Sequence, residues 1–171
     1  MLYLAPSNEI LEQTKDRIIE HIRGKVGITG KNKDEIIAEV FKNLQFATYQ
    51  SLITKAGKET LEKQYDFIIF DELHRTGAEK WEEALNKLLE NQLETTKVLG
   101  ITATPRRDAD DRNMADEIAQ KLGYTDEEIR AEKHIATKIE LKEAIQLGMV
   151  VNPKVVSCEY NLLTDGSMEN L

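Results

Sequence analysis

The sequence predicts an α/β fold, a mostly parallel β-sheet with helices on both faces. Short apolar runs, among them Leu2-Tyr3-Leu4, Leu44-Gln45-Phe46-Ala47-Thr48, Phe67-Ile68-Ile69-Phe70 and Val98-Leu99-Gly100-Ile101, recur between amphipathic segments. Runs of this length bounded by charge read as buried parallel strands, and their alternation with helices calls for crossover connections. Two of the runs also end in distinctive polar tetrads, Asp71-Glu72-Leu73-His74 and Thr102-Ala103-Thr104-Pro105. Open α/β sheets bind ligands at the C-terminal ends of their strands, where both tetrads fall.

Each element has its own local signal. Pro6-Ser7-Asn8 stops the first strand, and Ser7 or Asn8 caps a helix whose apolar face is Ile10, Leu11, Ile18 and Ile22. Gly24 ends that helix, and the segment from Lys25 to Lys33 is a polar, glycine-containing loop. A second amphipathic helix runs from about Asp34 to Asn43, turning Ile36, Ile37, Val40 and Phe41 inward. Tyr49 to Ile53 is a short helical turn, and Lys55 to Lys63 is polar and partly helical. From Ala78 to Glu90, Trp81, Leu85, Leu88 and Leu89 recur at helical spacing, which makes Trp81 a core residue. Beyond a charged loop from Arg106 to Asn113, Met114 to Leu122 is helical, and Thr125-Asp126-Glu127-Glu128 is a capping signal for another helix. Lys142 to Leu147 forms a short helix ended by Gly148, and Pro153 to Tyr160 reads as a last strand. His21 and His134 read as solvated helix residues.

The 171 residues fit one domain, and 40% hydrophobic with 32% charged content excludes a disordered chain. No apolar stretch approaches the ~20 residues of a membrane span, and the N-terminus is too short and uncharged for a signal peptide. The single Cys158 excludes an internal disulfide and permits a reducing compartment, so a cytoplasmic location is expected. A net charge of −8 argues against strong standalone binding to nucleic acid, although amides and hydroxyls can still grip phosphates.

The Asp71-Glu72 pair carries the clearest chemistry. One carboxylate suits a hydrated magnesium ion, which leaves the second to take a proton from water. Plain helix capping also places acidic residues after a strand, but it does not account for the threonine tetrad on the next run.

Tyr65 to Gly77 resembles the Walker B region of superfamily 2 helicases and translocases, nearest to the DEAH-type branch that contains type III restriction motor subunits. Val98 to Pro105 is similar to the third motif of that family, Leu2 to Gln13 to motif Ia, and Phe46 to Leu52 to the motif before Walker B. Ile139 to Pro153 is similar to the tail closing the first motor domain. The resemblance implies a RecA-like P-loop NTPase domain using ATP and Mg²⁺ and moving on DNA or RNA. It implies that Asp71 holds Mg²⁺ through a water and that Glu72 activates the water attacking the γ-phosphate. His74 would link the nucleotide site to motif III or a second motor domain, and Thr102 and Thr104 would couple hydrolysis to domain movement. Pro6, Ser7 and Thr48 would lie along a nucleic-acid strand and contact its phosphates without reading sequence. Ser7 and Thr48 also suit ordinary capping and strand ends. Arg75 and Arg107 match family positions, Leu73 is variable there, and the acidic run Asp108, Asp110 and Asp111 departs from the pattern.

The family's phosphate loop, a Gly-rich turn ending in Gly-Lys-Thr or Gly-Lys-Ser, is not encoded upstream of motif Ia in residues 1–171. Gly24 to Asn32 imitates it but follows a helix, is one residue too long and puts Asn32 at the magnesium hydroxyl. The expectation is therefore an incomplete first RecA-like domain over residues 1–171, without its phosphate loop and its second motor domain, and inactive when isolated. The omitted strand would leave an apolar edge beside the Thr102 strand, open to self-association. Two other readings stay open: a noncatalytic RecA-like module binding nucleic acid or protein, and a metal hydrolase built on Asp71, Glu72 and His74.

Overall fold

A computed structural model describes residues 1–25, 33–55, 57–77, 79–106 and 111–150. Residues 26–32 of the imitation phosphate loop, Arg107, Asp108, Asp110, Cys158 and the expected strand Pro153 to Tyr160 lie outside the described residues. Contacts divide the chain into two units, Met1–His134 and Ile135–Leu171.

The first unit holds a four-stranded sheet of order β2-β1-β3-β4, from β1 (Leu2–Ala5), β2 (Gln45–Thr48), β3 (Phe67–Asp71) and β4 (Lys97–Ile101). All three pairings are parallel, with Ala5 opposite Thr48, Leu4 opposite Phe70 and Asp71 opposite Ile101. After β1 the chain passes through α1 (Asn8–Lys25) and α2 (Lys33–Asn43) to β2 at one edge. It then returns through α3 (Tyr49–Leu52) and α4 (Gly57–Glu62) to β3, on the other side of β1. That reversal makes the C-terminal ends of β1 and β3 a topological switch point, where doubly wound sheets open a crevice.

Strand periodicity divides the side chains between the two faces. Leu2, Leu4, Ile68 and Phe70 are fully buried on one face, against Tyr49, Leu52, Leu61, Leu85, Leu88, Met114 and Ile118. Those partners come from α3, α4, α5 (Glu79–Glu90) and α6 (Met114–Lys121). Trp81 packs against this core as its spacing predicts, its ring 5.7 Å from that of Tyr49. On the opposite face Tyr3 meets Phe46, which in turn meets Phe41 of α2 and the Lys15 ammonium of α1. Leu99 and Ile101 of β4 remain 38% and 47% exposed, and β4 is an unpaired edge among the described residues.

Helix ends follow their capping residues. Thr125 and Glu128 form the reciprocal capping box that opens α7 (Asp126–Arg130), and its hydrogen bonds hold the Glu128 carboxyl below its usual range. Asn113 caps α6, while Arg112 spans Glu117 and Glu82 and ties the segment after β4 to α5 and α6. His134 departs from expectation. It lies in a turn beyond α7 with its side chain 7% exposed, Nε2 at 3.0 Å from Asp116 Oδ1 and its ring edge-on to Tyr124. An imidazole shielded by an aromatic ring beside a carboxylate loses its contact with solvent, which helical spacing alone did not reveal.

In the second unit, α8 (Leu141–Gln146) ends where Gly148 takes a φ of 69°, the left-handed conformation that stops a helix.

Candidate active site

Parallel strands bring the predicted residues to one rim because each follows, or ends, a strand running the same way. Pro6 and Ser7 follow β1, Thr48 ends β2, Asp71 ends β3 with Glu72 next, and Thr102 and Thr104 follow β4. The acidic pair and the threonine pair are neighbours, since β3 and β4 are adjacent.

Asp71 is held at three points. Its carboxylate Oδ1 accepts the Glu72 N–H at 3.0 Å, Oδ2 accepts the Tyr3 hydroxyl at 2.6 Å, and its carbonyl accepts the Tyr49 hydroxyl at 2.7 Å. Burial and the bond to Asp71 push the Tyr3 phenol up to about 12. Burial, and then the charge of Asp71, push Tyr49 far above the ordinary tyrosine range. Both tyrosines are therefore neutral donors at any physiological pH.

The chain turns sharply after Asp71. Glu72 has a φ of 53°, a left-handed backbone that costs a non-glycine residue roughly 1–2 kcal/mol. A 3-10 helix, Leu73–Gly77, follows at once and is closed by the buried Thr76, whose hydroxyl donates to the Leu73 carbonyl at 2.7 Å. This geometry buries Leu73 under β4 while Glu72 and His74 stay partly exposed at the rim. Gly100 lets Leu73 in: a Cβ there would stand 2.6 Å from a Leu73 methyl. Leu73, uninformative in the sequence pattern, is the packing anchor of the acidic segment.

His74 joins the two tetrads. Its Nδ1 lies 3.0 Å from Thr102 Oγ1 and 3.3 Å from Glu72 Oε2. The Thr102 hydroxyl donates to the Thr104 carbonyl at 3.0 Å and accepts the Thr104 N–H at 3.2 Å. With its proton committed, Thr102 accepts from His74, so Nδ1 carries a hydrogen. Thr104 enters the network through its backbone.

The hydroxyls expected along nucleic acid serve as caps here. Ser7 Oγ accepts the Ile10 N–H at 3.4 Å and donates to Glu9 at 3.4 Å, and Thr48 Oγ1 accepts the Ser51 N–H at 3.1 Å. Accepting that bond leaves Thr48 its own proton. Tyr3 and Tyr49 are the neighbours of Asp71 that sequence reasoning missed. Tyr3 lay inside a short apolar run and Tyr49 behind a strand, positions that read as packing.

The family described as "Type III restriction enzyme, res subunit" matches residues 1–107, which include all four strands and every residue of the rim described above. The chain belongs to this family. Res-subunit domains are superfamily 2 helicase-type ATPase domains, and the parallel sheet with flanking helices agrees with their RecA-like fold. Such domains generally work with ATP, Mg²⁺ and nucleic acid. No curated protein and no solved structure matches the chain. No helix among the described residues is long and apolar enough to cross a membrane.

The donor set fits magnesium. Each Asp71 oxygen carries a single hydrogen bond in the described network, and a carboxylate oxygen can accept two. Among the described residues no group of three or more His, Cys, Asp or Glu could cage an ion. One oriented carboxylate suits a hydrated magnesium shared with phosphates, and it does not suit the self-contained metal hydrolase.

Proposed function

We propose that this chain is part of the first motor domain of an ATP-driven helicase or translocase and contributes its hydrolytic rim. The observation that carries the proposal is the continuity of contacts from Asp71 through Glu72 and His74 to Thr102 across two adjacent strands. Asp71 would hold a hydrated magnesium ion, while Glu72 orients and deprotonates the water that attacks the γ-phosphate. Bound magnesium neutralises charge on the phosphate oxygens. His74, its Nδ1–H held by Thr102, keeps the Glu72 carboxylate facing the rim and passes its movement to motif III. Pro6, Ser7 and Thr48 line the nucleic-acid side of the same rim, where Thr48 offers its proton to a phosphate oxygen.

A working motor of this kind also needs a phosphate loop and a second RecA-like domain. The β4 edge, unpaired among the described residues and exposing Leu99 and Ile101, is where a further strand pairs, whether from the phosphate-loop segment or from a second copy. The parts work together in the cytoplasm.

The decisive experiment assembles the motor with its phosphate loop and second domain and changes Glu72→Gln. ATP binding is retained while turnover falls by ~10²–10⁴, the usual contribution of a general base. Unchanged turnover removes Glu72 from catalysis. An assembled motor that never hydrolyses ATP supports the noncatalytic binding module instead.

A further inference from the structure

The closest contact at the rim comes from a residue that neither acidic pair nor threonine pair accounts for. Tyr3 sits in the middle of β1, next to β3, and its hydroxyl reaches Asp71 Oδ2 at 2.6 Å. That is the range of a charge-assisted O–H···O⁻ bond. The hydroxyl is fixed in turn, because Thr14 of α1 donates to it at 3.3 Å.

We propose that Tyr3 is a positioning residue for the metal site, its hydroxyl holding the Asp71 carboxylate in the plane that receives a hydrated divalent cation. This inference rests on the reading of Asp71 as the metal-holding carboxylate. The terminal torsion of an aspartate is broad, so a carboxylate held at one oxygen swings freely about the other. Here the donors come from different elements, the Glu72 N–H on Oδ1 and Tyr3 on Oδ2, and together they set the plane. The ring alone does not require the hydroxyl. Its packing against Phe46, 5.7 Å between centroids, is available to phenylalanine as well. What the hydroxyl adds is orientation of a carboxylate, the kind of support whose loss weakens metal sites by about 10–100-fold. The chain of bonds also runs outward, since Thr14 belongs to the helix that Ser7 caps. The cation site is thereby tied to the element that carries the proposed phosphate contacts.

The test uses the 171-residue chain and Mn²⁺ alone as the probe. Paramagnetic broadening of amide resonances is followed as the ion is titrated. In the unaltered chain the Glu72 and Thr102 amides broaden, together with amides on the acidic face of Glu82, Glu83 and Glu90, which act as an internal reference. Tyr3→Phe raises the Mn²⁺ needed at Glu72 and Thr102 by about tenfold and leaves the reference face unchanged. Thr14→Val, which leaves the ring in place, produces a smaller shift in the same direction. If Tyr3→Phe disturbs the amides of the buried core at Phe70 and Leu88, Thr14→Val decides in its place. Unshifted titrations at Glu72 and Thr102 overturn the role of Tyr3. Asp71→Asn separates the two levels: broadening at Glu72 and Thr102 that survives it overturns the metal reading of Asp71 and the proposal with it.

Discussion

At the scale of single residues, the rim combines strain with restraint. Glu72 is one of three non-glycine residues with positive φ among the described residues, and it stands where the strand hands over to the 3-10 helix. A glutamate has no intrinsic reason to adopt that backbone, so the fold tolerates it because Asp71 accepts its N–H and Leu73 is buried behind it. Such strain persists where the side chain is needed in one place. Glu72→Gly should therefore stabilise the chain by about 1 kcal/mol, since glycine adopts the left-handed region without penalty. Urea unfolding measures this, and a variant less stable than the parent refutes stored strain at this position. The same change removes the proposed base, so stability and turnover should move in opposite directions.

Elements show which parts of the architecture were legible in advance. All four strands and the helices around them were readable, because short apolar runs and helical spacing record burial directly. Thr125 announced its capping box through its own neighbours. The 3-10 helix Leu73–Gly77 was not readable, since its reason lies across the sheet, in the gap that Gly100 leaves for Leu73. The acidic and threonine tetrads could be placed on one rim because parallel strands end together. Tyr3, Tyr49 and the shielding of His134 could not, because each depends on a partner distant in sequence or on an aromatic lid. Gly100→Ala tests the hidden element contact. The added methyl must displace a Leu73 side chain already packed in the core, at a cost of about 1–3 kcal/mol. Loss of the His74–Thr102 contact, read from the histidine ring resonances, should accompany it. A variant of unchanged stability with those resonances unmoved would show that the close approach does not matter.

For the molecule as a whole, three phenols make stability depend on alkaline pH. Burial raises Tyr3, Tyr49 and Tyr65, and Tyr65 also spans Gln45 and Thr60 at the opposite end of the sheet. The folded chain keeps these groups neutral, whereas the unfolded chain ionises them near pH 10. A raised pKa of this kind contributes stability that is complete below the unfolded value and is lost as pH climbs through the folded value, about 12 for Tyr3. The total slope sums every group that ionises at alkaline pH and does not isolate the phenols. Tyr49→Phe does isolate one of them. At pH 8 the variant should be about 1 kcal/mol less stable, having lost the bond to the Asp71 carbonyl. Above pH 10 the parent alone pays the linkage of Tyr49, up to about 1.4 kcal/mol per pH unit, and the difference should vanish near pH 11. Urea midpoints measured for both chains from pH 8 to 11.5 should therefore cross. Midpoints that stay parallel would mean that the Tyr49 phenol ionises as readily in the folded chain as in the unfolded one, and that the clamp on Asp71 opens to water.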